Sequence, residues 1–255
     1  MNDSVQRAAQ RILATMKAMH HGDFTYLPAR EVDFRHLDLG AYRQFLGQHE
    51  AKDFRYLSDI EIAEISASPT TLVARTFIRS MVSAHGTVVA DYYQVKPRMG
   101  RLLRMLLRGL ANGRWRDAPR FFFKTLKTKH CVGYTTEFGD GHFIVTSNAE
   151  SAGMMGSPPT IDSAFHPYGT PASAVMEDHF ARLKSRLAQS PGLRPQCLHT
   201  EDELQQRRVR MKRQKDAYRE AVNWVSKEEL ERMSPHSPLL AAAVYEEVRR
   251  QLGAV

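Results

Sequence analysis

The sequence predicts an α+β domain on an antiparallel sheet of four to five strands, with a helix before it and a helical region after it. Runs rich in β-branched and aromatic residues are joined by hairpin turns rather than by repeated strand–helix–strand units. One apolar stripe at helical spacing precedes them, and a series of helix-start signatures follows. At 255 residues, 42% hydrophobic and 25% charged, the chain has globular composition and enough length for an ordinary core.

Residues 4–19 place Val5, Ala8, Ala9, Ile12, Leu13, Met16 and Met19 on one helical face, ended by His20-His21-Gly22. Residues 3–19 set Arg7, Arg11 and Lys17 against the single acid Asp3, which is also the pattern of an organelle transit peptide. A loop-rich stretch follows, with a short helix over 39–49. Residues 54–65 read as a strand ending before Pro69. "TTLVARTFIRSMV" (70–82) and "TVVADYYQV" (87–95) flank "SAHG", a tight turn between two strands.

The clearest hairpin is "HCVGYTTEFGDGHFIVTSN", 130–148. Asp140-Gly141 is a two-residue turn signal, because glycine accepts the positive φ such turns require. Folding there sets Phe138 opposite Phe143, with Val132, Tyr134 and Val145 on the same core face. Thr135, Glu137, Thr146 and Asn148 then share a polar face. Residues 149–172 read as a long irregular loop, of the length that tends to carry function.

Thr170-Pro171 opens a helix that runs to Gln189, with proline at its first position. Thr200 and Glu203 form a capping box for a helix reaching about Val225. There Leu204, Met211, Tyr218 and Val225 are spaced by seven, but Arg208 and Lys215 hold intervening heptad positions. The pattern half supports a coiled coil, and with it a homo-oligomer through residues 201–225. Ser226 with Glu229, and Ser237-Pro238, mark two more helix starts. The domain reading is therefore an N-terminal helix (1–22), an α+β domain (23–190) carrying an insertion at 96–129, and a C-terminal helical region (198–255).

That insertion holds eleven Lys or Arg residues and one acid, Asp117. Its surplus of +10 exceeds the total of +8, so the rest of the chain carries −2. Cationic charge confined to one segment of a near-neutral body marks a docking face. Arginine outnumbers lysine 26 to 10, which favours bidentate phosphate or carboxylate contacts. Wound as a helix, residues 99–110 gather Leu102, Leu103, Leu106, Leu107 and Leu110 on one side and Arg101, Arg104 and Arg108 on the other. A turn at "ANGRW" leads to a second helix at Pro119, with Phe122, Phe123 and Leu126 on one face and Arg120, Lys124 and Lys127 on another. The segment reads as a basic amphipathic helical hairpin with Trp115 near its tip. The anionic-surface residues it nominates are Arg98, Arg101, Arg104, Arg108, Arg114, Trp115, Arg116, Arg120, Lys124 and Lys127.

Other chemistry is thinner. His130-Cys131 and Cys197-x-His199 lack the spacing of a metal site, so neither a metal nor a cofactor is expected. Asn148, Asp162, His166 and Tyr168 nominate a ligand site on the 149–172 loop, where a hydrolase or transferase could assemble a nucleophile and a base. No nucleophile-elbow or phosphate-loop glycine pattern supports that alternative. No apolar run approaches the ~20 residues that span a bilayer. Two cysteines make no disulfide framework, and the expected setting is the cytoplasm. The expected function is a non-enzymatic adaptor docking on an anionic surface: the inner face of a membrane first, an acidic protein next, a nucleic-acid backbone last.

Overall fold

The alternating runs form one mixed sheet of seven strands in sequence order. They are β1 (Tyr26–Pro28), β2 (Phe54–Ile62), β3 (Ile78–Ser83), β4 (Val89–Val95), β5 (Lys129–Glu137), β6 (Phe143–Ser147) and β7 (Ile161–Phe165). Neighbours are antiparallel except β6 and β7, which run parallel. The computed structural model describes all residues except Met1, His21, 68–71, Arg114, Arg116, Pro235, His236, Ala254 and Val255. The side chains of Asn2, Ala67, Asp117 and Lys124 are likewise outside the description.

The α+β class holds, but seven strands replace the four or five expected, and the sheet is not purely antiparallel. The two additions are short. β1 has three residues, and β7 lies inside the stretch read as an irregular loop. A parallel partner needs a crossover, and residues 148–160 supply it through a 3₁₀ turn at Glu150–Met154. At the other end of β2, residues read as strand form instead the short helix α3 (Ala63–Ala67).

The β5–β6 register corrects a second expectation. Glu137, not Phe138, stands opposite Phe143. The loop has three residues, Gly139 to Gly141, closed by the Phe138 N–H donating to the His142 carbonyl at 2.8 Å. Gly141 takes φ +81°, the left-handed residue such three-residue hairpins require. A shift of one residue turns every β6 side chain over. Ile144 and Thr146 therefore join Tyr134 and Thr136 on one face, while Phe143 and Val145 share the other with Glu137.

Helices lie over both faces. The first is covered by α2 (Leu39–Glu50) and α6 (Ala172–Gln189), whose Tyr42, Phe45, Val175, Met176 and Leu183 enclose the main core with Phe77, Tyr92, Val132 and Tyr134. Tyr42 stacks on Phe77 at 4.0 Å and donates its hydroxyl to the Phe77 carbonyl at 2.8 Å. His179 sits among these side chains, its ring nitrogens 3.0 Å from Thr136 Oγ1 and 3.1 Å from Thr146 Oγ1. Burial drives its pKa down from 6.5 to about 3, so the ring is neutral.

The second face is covered by α7 (Glu201–Ala221), entered through the Thr200–Glu203 capping box. Leu204 packs with Val82, Val89 and Leu198. Arg208 reaches Asp91 at 2.8 Å and Ser80 at 2.7 Å, and Arg207 and Arg210 converge on Glu137. Of the residues spaced by seven, Leu204 and Val225 pack into apolar clusters inside the chain. Beyond α7, α8 (Lys227–Met233) and α9 (Pro238–Gln251) form a second apolar cluster with α1 (Asn2–His20), built on Val5, Ala9, Leu13, Leu230, Val244 and Val248.

Two outcomes test this arrangement. Gly141→Val forces a β-branched residue into φ > 0 and is expected to cost about 1–3 kcal/mol in urea unfolding; a wild-type midpoint would refute the turn. For His179, both folded and unfolded states are neutral above pH 6.5, so it contributes nothing there. Below that, the unfolded ring takes a proton that the folded ring refuses until about pH 3. Stability should therefore fall by about 1.4 kcal/mol per pH unit, or about 2 kcal/mol by pH 5. His179→Gln should flatten that slope, and an unchanged slope would remove His179 from the account.

Candidate functional site

The hairpin leaves the sheet between two adjacent strands, β4 and β5, as α4 (Met99–Ala111) and α5 (Asp117–Thr125). Arg98, at the α4 N-cap, fastens its foot: its Nη2 donates to the Ser66 carbonyl at 3.0 Å and its backbone N–H to the Leu72 carbonyl at 2.7 Å. The two helices meet tightly at Gly109, where an added Cβ would lie 2.5 Å from the Ala118 Cβ. Only glycine lets the backbones approach so closely.

The apolar side of α4 is divided. Leu102 is fully buried, and Leu106 and Leu110 are half-buried. Met99, Leu103 and Leu107, four residues apart, stay exposed, Leu107 at 59%. At about 100° per residue these three form a stripe roughly 80° wide, bordered by Arg104 and Arg108. Trp115 is 69% exposed and Phe123 66%, with Phe121 and Leu126 exposed as well. Phe122 is half-buried, its ring edge-on to Phe123 at 5.5 Å. The helical period alone could not distinguish the inward leucines from the outward ones, because both fall within one apolar arc.

Arg104, Arg108, Arg120 and Lys127 are exposed, and no carboxylate among the described residues pairs with them. Arg101 is half-buried. Arg114, Arg116 and the Lys124 side chain lie outside the described residues.

The four loop residues do not converge. Asn148 is buried and structural: its Oδ1 accepts from the Val132 N–H at 2.8 Å, and its Nδ2 donates to the His130 and Thr170 carbonyls at 3.2 Å each. Asp162 turns to Arg182 of α6 at 2.7 Å. His166 lies four residues further along an extended strand, roughly 13 Å away, and its Nε2 is 3.0 Å from Asp178 of α6. Tyr168 hydrogen-bonds Ser151 through its hydroxyl, while Lys129 Nζ sits 3.9 Å above its ring. Asn148, His166 and Tyr168 nevertheless share one end of the sheet with the foot of the hairpin, because β4, β6 and β7 end there and β5 begins there. Lys129 and Ser151 are the members of this group that spacing did not nominate. Neither stands in a motif, and only the unforeseen β7 brings Ser151 and Tyr168 together.

No family model, no curated protein and no solved structure matches this chain. Its chemistry is therefore read from the site. Cys131 is buried beside Tyr93, and burial raises its thiol to about 11, so it is no thiolate nucleophile. His130 and Cys131 are consecutive on a strand and point to opposite faces, which rules them out as ligands of one metal ion.

Gly109→Val should wedge α4 and α5 apart at an overpacking cost of about 1–3 kcal/mol. Hydrogen exchange in α4 should accelerate while the β4 and β5 amides keep their protection. Unchanged α4 protection would mean the helices do not cross there.

Proposed function

We propose that this protein docks on the anionic face of a lipid bilayer through the α4–α5 hairpin, acting as a non-enzymatic binding or adaptor protein. One observation carries the reading: exposed apolar side chains and cations without carboxylate partners among the described residues lie side by side on one hairpin. In water such a surface is costly, since Leu107, Trp115 and Phe123 gain nothing from solvent. At a headgroup boundary both parts are satisfied. The apolar stripe enters the acyl region, each cation near the surface contributes about 1 kcal/mol, and Trp115 takes the interfacial position tryptophan favours. No helix among the described residues is long and apolar enough to cross a membrane, which fits attachment at one face.

A nucleic-acid backbone would use the arginines but leave the exposed leucines and phenylalanines in water. Small-ligand chemistry has less support. The depression lined by Glu150, Gly153, Met154, Phe165 and Arg232 is wide open, and an open site buries little of a small molecule.

Co-sedimentation with vesicles tests the reading. Anionic vesicles should recover the protein and neutral ones should not, with salt weakening the association. Replacing Arg104, Arg108 and Arg120 with Gln should lower the affinity by up to about 3 kcal/mol. Leu103→Gln with Leu107→Gln changes no charge and should weaken lipid binding while leaving any duplex binding untouched. Equal recovery on neutral vesicles, or indifference to the leucine pair, would sink the proposal.

A further inference from the structure

We infer that the sheet end at the foot of the hairpin holds a subsite for the phosphate of a lipid headgroup, formed by Lys129, Ser151 and Tyr168; this rests on the docking reading above. Lys129 opens β5, two residues beyond the exposed Lys127. Its ammonium is held 3.9 Å above the Tyr168 ring and has no carboxylate partner among the described residues. A cation held by a ring face keeps its N–H donors for a further acceptor. The Tyr168 and Ser151 hydroxyls bond to each other. That bond uses one of their two hydrogens and leaves the second to donate.

The three groups come from β5, the 3₁₀ turn and the segment after β7, and Asn148 ties these segments together through the His130 and Thr170 carbonyls. Of the acids on neighbouring segments, Asp178 is engaged by His166, and Glu150 is exposed on the 3₁₀ turn. One ammonium and one free hydroxyl hydrogen, arriving from different elements, suit a tetrahedral phosphate, whose oxygens accept from several directions. A planar carboxylate suits a guanidinium fork better.

The test compares vesicles containing phosphatidylglycerol with vesicles of equal surface charge whose anion is a fatty-acid carboxylate. The wild-type chain should prefer the phosphate vesicles by about fivefold or more, the scale of one added charge-assisted hydrogen bond. Ser151→Ala with Tyr168→Phe removes both hydroxyls yet keeps the ring beneath Lys129. This pair should abolish the preference while leaving binding to carboxylate vesicles unchanged, and Lys129→Gln should abolish the preference too. Soluble glycerol phosphate at millimolar concentration should not displace the protein from vesicles; full displacement would assign the site to a free phosphate ester and overturn the lipid assignment. Equal wild-type binding to both vesicles, or a variant that keeps the preference, overturns the subsite and leaves the docking reading standing. Binding to neither overturns both.

Discussion

The fold turns on the burial of Glu137 beneath α7. Its carboxylate is 1% exposed and is reached by Arg207 at 3.2 Å and by Arg210 at 2.7 Å. Burial lowers the Arg207 pKa, the Glu137 charge opposing that loss. A buried carboxylate without a cation would cost several kcal/mol, so the sheet face that carries Glu137 demands an arginine-bearing helix above it. Arg208 on Asp91 repeats the device on the adjacent strand β4, and Gln214 on the Gly141 carbonyl extends it to the hairpin loop. The helix is thus held over the sheet by polar side chains, with the Leu204 cluster as its apolar anchor.

This accounting separates the arginines of α7 from those of the α4–α5 hairpin. Arg207, Arg208 and Arg219 are buried and each meets a carboxylate. Arg104, Arg108 and Arg120 are exposed and meet none among the described residues. The same residue type balances charge inside the fold in one element and is presented outward in the other. Burial, not composition, distinguishes them, and the proposed docking surface is the set that the fold leaves over.

Local signals in the sequence were read well where the cause is local. Thr200 with Glu203 and Ser226 with Glu229 form their capping boxes because both partners lie within one turn. The two helices α4 and α5 and the interruption between them were likewise legible, since helical period needs no distant partner. The β5–β6 register was not. Asp140-Gly141 suits both a two-residue and a three-residue loop, and the choice decides which β6 side chains face the core: in the register found, Ile144 joins the main core and Thr146 meets His179 of α6, partners that lie far along the chain. β7 was missed for a related reason: "IDSAF" is short and weakly apolar, and it becomes a strand by pairing with the edge of β6. Proximity in the chain suggests one site for His166 and Asp162, yet an extended strand moves them apart and gives each its own partner on α6.

The hairpin grows from two strands that are neighbours in the middle of the sheet, and this has a mechanical consequence. A pull on α4 and α5 reaches β4 and β5 from the same end and draws both in the same direction. Their seven paired positions move together and are not unzipped by it. The tension passes sideways into β3 and β6, whose ladders with β4 and β5 must slide along their length to yield. Hydrogen bonds perpendicular to the strands then resist in concert, in shear. A body tethered by this root would drag its whole sheet against lateral flow before any single strand could peel away.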